Sequence, residues 1–303
     1  MVAWPAYMIG DPRELDQAGA AYLKRLTDAD LEALVHADQV SADAAAGRIR
    51  ALRQEPGLIL DVLDRPATSA AVLNLADYQP GPRDRFTLIS PFLVFAAAIH
   101  RTAADLGAST YAPERTTPRQ RIPLFDAGQL SAYLGPPGHR LFLADLLASF
   151  ARISSGMVHT PGSPRRRRWN DADPARLAVL LDTVPAADRP PVWRRLGDLA
   201  LFLAGVFPDA AERLIPSQAA ASRLARRTGL DPDAGPDRGA ADLLEWLGTG
   251  WYQLAAAHTR PADAAAGDLR ERAEHFRPAR RVLNTAADRY LLPVSSGWLA
   301  APG

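Results

Sequence analysis

Four consecutive arginines and a tryptophan, Arg165, Arg166, Arg167, Arg168 and Trp169, are the stretch whose residue types and spacing most directly suggest contact with a charged partner. The run M-V-H-T precedes them and P-G-S-P intervenes, which reads as two short extended segments around a turn: a β-hairpin near 157–169. Successive side chains on a strand face opposite sides, so Arg166 and Arg168 point one way and Arg165, Arg167 and Trp169 the other. Cations beside an aromatic ring on one face suit holding phosphates and stacking on a base. The plainer alternative is a solvated hairpin whose arginines meet acidic groups of this chain or of a protein partner.

A second charged cluster stands at the head of an apolar run. Arg194 and Asp198 are one helical turn apart and can form an ion pair, which burial would make an internal anchor orienting that helix. Gly197 and Gly205 on the same stretch would allow neighbouring helices to approach closely. The six histidines, His36, His100, His139, His159, His258 and His275, include no pair three or four positions apart and no H-E-x-x-H. Asp231, Asp233 and Asp237 superficially suggest calcium. The sixth and twelfth positions of such a loop hold Pro236 and Asp242 instead of glycine and glutamate, so a capping loop is the better reading. The sequence therefore predicts no metal and no cofactor. It also lacks a glycine-rich phosphate loop, a G-x-S-x-G and a dinucleotide fingerprint, so no catalytic residue is identifiable. An enzyme built from dispersed residues would draw on His100, Asp198 or His258, although His100 reads more simply as a hydrogen-bonded helix histidine.

These residues must be positioned mainly by helices. Cap, proline and apolar-period signals recur along the chain. They predict helices over 11–27, 28–38, 41–54, two short pieces in 57–76 broken at Pro66, then 91–107, 126–134 and about 138–155. Residues 108–125, with three prolines, read as an extended surface crossing. Beyond the hairpin, helix resumes at Pro174. The central helix follows, with Asp188 as its expected cap and an almost unbroken apolar run from Val192 to Phe207. Further helices are expected to 214, over 217–228, 240–258 and 262–291, the last interrupted near Pro278. The expected fold is mainly α: a multi-helix globular bundle with one small β-hairpin. The loop Q-P-G-P-R-D-R at 79–85 suggests a boundary. It would separate an N-terminal helical segment, 1–78, from a main domain, 86–293, followed by a tail, 294–303.

Composition narrows the classes further. At 303 residues, with 48% hydrophobic and 23% charged, the chain can bury a sizeable core. It has no cysteine, which rules out disulfides and thiolate chemistry and fits a reducing cytoplasm. The N-terminus lacks a basic segment followed by an apolar core, and no apolar run reaches the roughly 20 residues needed to span a bilayer. The expectation is a soluble, cytoplasmic protein. The net charge of +1 is unevenly spread, with residues 91–195 at net +6, so the middle third is the natural polyanion surface. Since 34 of the 35 basic residues are arginine, the arginine excess also follows from a GC-rich genome.

The segments R-R-L-G-D-L-A-L-F-L-A-G-V-F-P-D at 194–209 and R-P-A-R-R-V-L-N-T-A-A-D-R-Y-L-L-P at 277–293 resemble those of a family of uncharacterised helical proteins from GC-rich bacteria. The arginine-rich stretch before the central helix is similar to that family too. The resemblance covers roughly 86–293 and implies a helical fold but no activity. The functional expectation is a binding or adaptor protein that meets a protein partner through the basic hairpin. The alternatives are nucleic-acid or phosphate binding through Arg165–Trp169, and a helical enzyme with a pocket of dispersed residues.

Overall fold

Caps and prolines start the helices, beginning with α1 (Pro12–Leu23). At α2 (Asp28–Ala37) the Thr27 hydroxyl accepts from the Asp30 amide while the Asp30 carboxylate accepts from the Thr27 amide, a reciprocal capping box. α3 (Ala42–Gln54) follows, then α4 (Leu58–Asp64) and α5 (Pro66–Asp77), which are separate because Pro66 cannot continue α4. Ser90 caps α6 (Pro91–Gly107) through the Leu93 amide. Next come β1 (Ala112–Thr117), β2 (Gln120–Leu124), α7 (Ala127–Leu134) and α8 (Pro137–Ser149). The hairpin strands are β3 (Ser155–His159) and β4 (Arg166–Asn170). α9 (Pro174–Leu177) leads through 3-10 turns at Ala178–Asp182 and Ala186–Asp188 into α10 (Pro190–Val206). α11 (Pro208–Leu214), α12 (Gln218–Thr228), α13 (Ala240–His258), α14 (Ala264–Glu274), α15 (Phe276–Ala286) and a π turn at Ala287–Leu291 complete the order.

This computed structural model describes residues 12–77, 89–117, 119–159, 166–237, 239–260 and 263–293. The boundary loop at 79–85, Arg165 and the tail 294–303 fall outside the described residues. The fold is mainly α with two small two-stranded antiparallel sheets, β1–β2 and β3–β4. The first sheet occupies the segment that reads as an extended crossing in sequence. Pro113 and Pro123 argue against strand there, but a two-stranded ribbon consists only of edges and tolerates residues without an N–H. A second departure concerns Asp188, which lies in a 3-10 turn and does not cap α10. Arg189 is the N-cap and already has helical dihedrals. The turn therefore runs straight into the helix, and no side chain caps it.

The chain divides into two compact units. Unit 1 comprises Met1–Pro113, Pro123–Ala151 and Thr285–Trp298; unit 2 comprises Glu114–Ile122, Arg152–Asn284 and Leu299–Gly303. Within unit 1, α6 packs against α4, α5, α7 and α8, and its Leu93, Phe95 and Ile99 are fully buried. Unit 2 is built on the crossing of α10 with α13. A Cβ on Gly197 would lie 2.7 Å from the Tyr252 ring, and one on Gly248 would collide with the Phe276 ring. The glycines thus let two aromatic side chains pack directly against the helices at these positions. No helix among the described residues is long and apolar enough to cross a membrane.

Leu199, Leu203 and Val206 are fully buried on α10 and Phe202 nearly so. Leu203→Ala is expected to destabilise the protein by about 2–5 kcal/mol in denaturant unfolding. A loss below about 0.5 kcal/mol, typical of surface substitutions, would show that α10 is peripheral.

Candidate functional site

The β3–β4 hairpin is fastened at its foot by Asp171. The Asp171 amide donates to the Ser154 carbonyl at 3.0 Å, and the Ser154 amide donates to Asp171 Oδ1 at 2.8 Å. Its other oxygen, Oδ2, accepts from Arg195 of α10 at 3.0 Å. Asp171 is itself buried, so these bonds form where water competes least. From this foot the register runs Ser155–Asn170, Gly156–Trp169, Met157–Arg168, Val158–Arg167 and His159–Arg166.

Directly opposed residues share a face, so the register sorts the arginines. Gly156, Val158, Arg167 and Trp169 form the inner face. Trp169 is half-buried and lies across Gly156, where an added Cβ would come 2.8 Å from Nε1. Arg167 is exposed like its neighbours, yet it reaches Asp182 at 2.8 Å, and Asp182 also accepts from Arg227 at 2.6 Å. The outer face carries Met157, Arg166 and Arg168, all exposed, with Met157 at 56%. Of the five residues singled out in the sequence, Arg166 and Arg168 share the outer face, while Arg167 and Trp169 share the inner one. Arg165 is outside the described residues.

Arg194 and Asp198 form an ion pair at 3.6 Å, with Asp198 buried and the Arg194 side chain 58% exposed. Asp198 also accepts from the Tyr252 hydroxyl at 2.7 Å and faces Arg272 at 3.7 Å. These partners from α13 and α14 make it an anchor of the unit 2 core. His258 has other partners: Nδ1 is 2.9 Å from the Leu254 carbonyl, and its ring packs against Trp193. Near 231–237, the Asp233 amide donates to Asp231 Oδ1 at 3.0 Å, a local side-chain-to-backbone turn.

His100 belongs to unit 1 and is the centre of a buried polar chain that its sequence neighbours do not reveal. Its Nδ1 is 2.6 Å from Asp64 Oδ1, and its Nε2 is 2.9 Å from the Tyr22 hydroxyl. Arg140 donates to the same Asp64 oxygen at 2.5 Å, and its Nη1 stands 3.4 Å from the imidazole Nδ1. An ionised carboxylate only accepts, so Nδ1 carries the proton and Nε2 accepts from Tyr22. Burial pushes the Tyr22 phenol well above its usual range and keeps it a neutral donor. Burial likewise lowers the His100 pKa; Asp64 pulls it up, but burial, assisted by Arg140, prevails. Burial alone would raise Asp64. The His100 ring and the Arg140 guanidinium outweigh it and hold the carboxyl well below the usual carboxylate range. Tyr22, His100 and Arg140 are buried and only Asp64 is open to solvent, so the chain braces α1, α4, α6 and α8 together. Comparison with protein-family models, curated proteins and solved structures found no match.

Two expectations follow. The folded chain holds His100 neutral, so on acidification the unfolded chain takes up that proton first. Its contribution is complete above the ordinary histidine value of 6.5 and is lost as pH falls below it; Asp64 adds a loss of the same sign below its ordinary 3.8. The slope from His100 is at most about 1.4 kcal/mol per pH unit, and His100→Gln should flatten unfolding free energy between about pH 7 and 5. An unchanged slope would contradict the assignment. Separately, Asp171→Ala leaves the Ser154 amide and Arg195 without this acceptor and should cost about 1–3 kcal/mol. Amide exchange should then accelerate in β3 and β4 more than in α10; equal acceleration throughout would contradict a local clasp.

Proposed function

We propose that this chain is a binding protein whose β3–β4 hairpin docks an acidic protein partner. The observation that carries this reading is the pairing of exposed Met157 with exposed Arg168 on the outer face, beside Arg166. Methionine and arginine are enriched in protein interfaces, where an apolar contact beside a guanidinium supplies both burial and directed hydrogen bonds. Charge supports the same choice. Between Asp145 and Asp171 the sequence holds five arginines and no acidic residue, so the stretch carries charge of one sign only.

Nucleic-acid binding is less well supported. Base stacking needs an open aromatic face, whereas Trp169 is half-buried across Gly156. Arg167, on the same face, is already bonded to Asp182. An enzyme using His100 is disfavoured because the Tyr22 hydroxyl and the imidazole are enclosed among helices. The test compares two probes by fluorescence anisotropy at about 150 mM salt: a labelled peptide rich in glutamate and valine, and single-stranded DNA. The double substitution Arg166→Glu, Arg168→Glu should weaken peptide binding at least tenfold, or about 1.4 kcal/mol. Tight DNA binding with a steep salt slope, lost in the same variant, would replace the protein reading with the nucleic-acid one.

A further inference from the structure

We infer that the partner docks by strand addition, pairing an extended acidic segment with the outer edge of β3. The inference rests on the hairpin being the docking surface and adds the geometry of the contact. Hydrogen-bonded and non-bonded pairs alternate along an antiparallel ladder. The Asp171 amide bonds to the Ser154 carbonyl, and the register continues from that pair. Gly156–Trp169 and Val158–Arg167 are therefore the pairs that exchange bonds within the hairpin. Ser155, Met157 and His159 direct their N–H and C=O groups away from β4.

The two edges of this ribbon differ. β4 packs against α9 and the 3-10 turn that follows it. On the β3 side, no further strand is present among the described residues. Edges are commonly blocked by proline, lysine or an inward charge, yet β3 reads Ser-Gly-Met-Val-His and has none of these. Such an edge offers its backbone bonds to an extended peptide, with specificity supplied by alternate side chains.

Charge selects the occupant. Every second side chain of an added strand would lie on the face of Met157, Arg166 and Arg168. The added strand would be about 10 Å from β4 across β3, a gap that extended arginine and glutamate side chains bridge together. An apolar residue between the acidic ones would cover Met157. Pairing β3 with β3 of a second copy would instead juxtapose two cationic faces, which disfavours self-association.

The test titrates the full-length ¹⁵N-labelled chain with a capped peptide of alternating glutamate and valine and follows amide exchange. Exchange should slow at Ser155, Met157 and His159, with little change at the already bonded Gly156 and Val158. No slowing at saturating peptide overturns strand addition. Met157→Pro deletes one outward N–H without touching a bond to β4, so it should weaken binding at least tenfold beyond Met157→Ala. Equal affinities for these two variants, with binding still abolished by Arg168→Glu, would overturn strand addition while leaving the docking surface intact. Peptide binding indifferent to both Met157→Pro and Arg168→Glu would overturn the docking surface as well.

Discussion

Asp171 uses both carboxylate oxygens where the hairpin meets α10, one for the Ser154 amide and one for Arg195. This arrangement settles which hairpin face turns inward. A ribbon has a side-chain period of two, so fixing one residue pair fixes the direction of every residue beyond it. With the foot clasped, Trp169 falls over Gly156 and Arg167 reaches Asp182, while Met157, Arg166 and Arg168 are left outside. A one-residue slip of one strand against the other would put Met157 and Trp169 on the same face, so they could no longer lie one outside and one inside. The proposed function therefore depends on a bond made at the hairpin's base, away from the side chains that would meet a partner.

The clasp works because α10 is itself rigidly placed. Gly197 and Gly248 admit the rings of Tyr252 and Phe276, and Gly205 admits Leu283 of α15. Tyr252 then bonds to Asp198, so one helix crossing combines apolar packing with a satisfied buried carboxylate. Further along unit 2, Arg280 is paired with both Glu114 and Glu245, and Asn284 both accepts from and donates to the Arg115 backbone. The two segments that stand out in the sequence, 194–209 and, as far as Asn284, 277–293, thus supply much of this framework. Their charged residues are largely spent on internal partners, since breaking a buried pair leaves an uncompensated charge.

Local physics explains what was legible. Helix starts carry their own caps and prolines, as at Thr27, Ser90 and Pro190, so the order of helices could be read directly. The hairpin was legible through its change of period, and the opposed directions of Arg166 and Arg167 followed from the pleat. The partners were not legible. Tyr22, Asp64 and Arg140 lie 78, 36 and 40 residues from His100, and nothing local marks any of them as its neighbour. Arg195 similarly finds Asp171 24 residues away, whereas Arg194 has its partner Asp198 one turn along the same helix. The β1–β2 ribbon was missed because proline usually signals the end of pairing, and here it occupies strands that have only edges.

The clasp-and-face account is tested most directly by hydroxyl-radical footprinting of the free, folded protein, read peptide by peptide. It predicts rapid oxidation of Met157 and slow oxidation of Trp169, despite the high intrinsic reactivity of both side chains. Rapid modification of Trp169 with protection of Met157 would mean that the hairpin faces the other way. The outer-face docking surface would then be wrong.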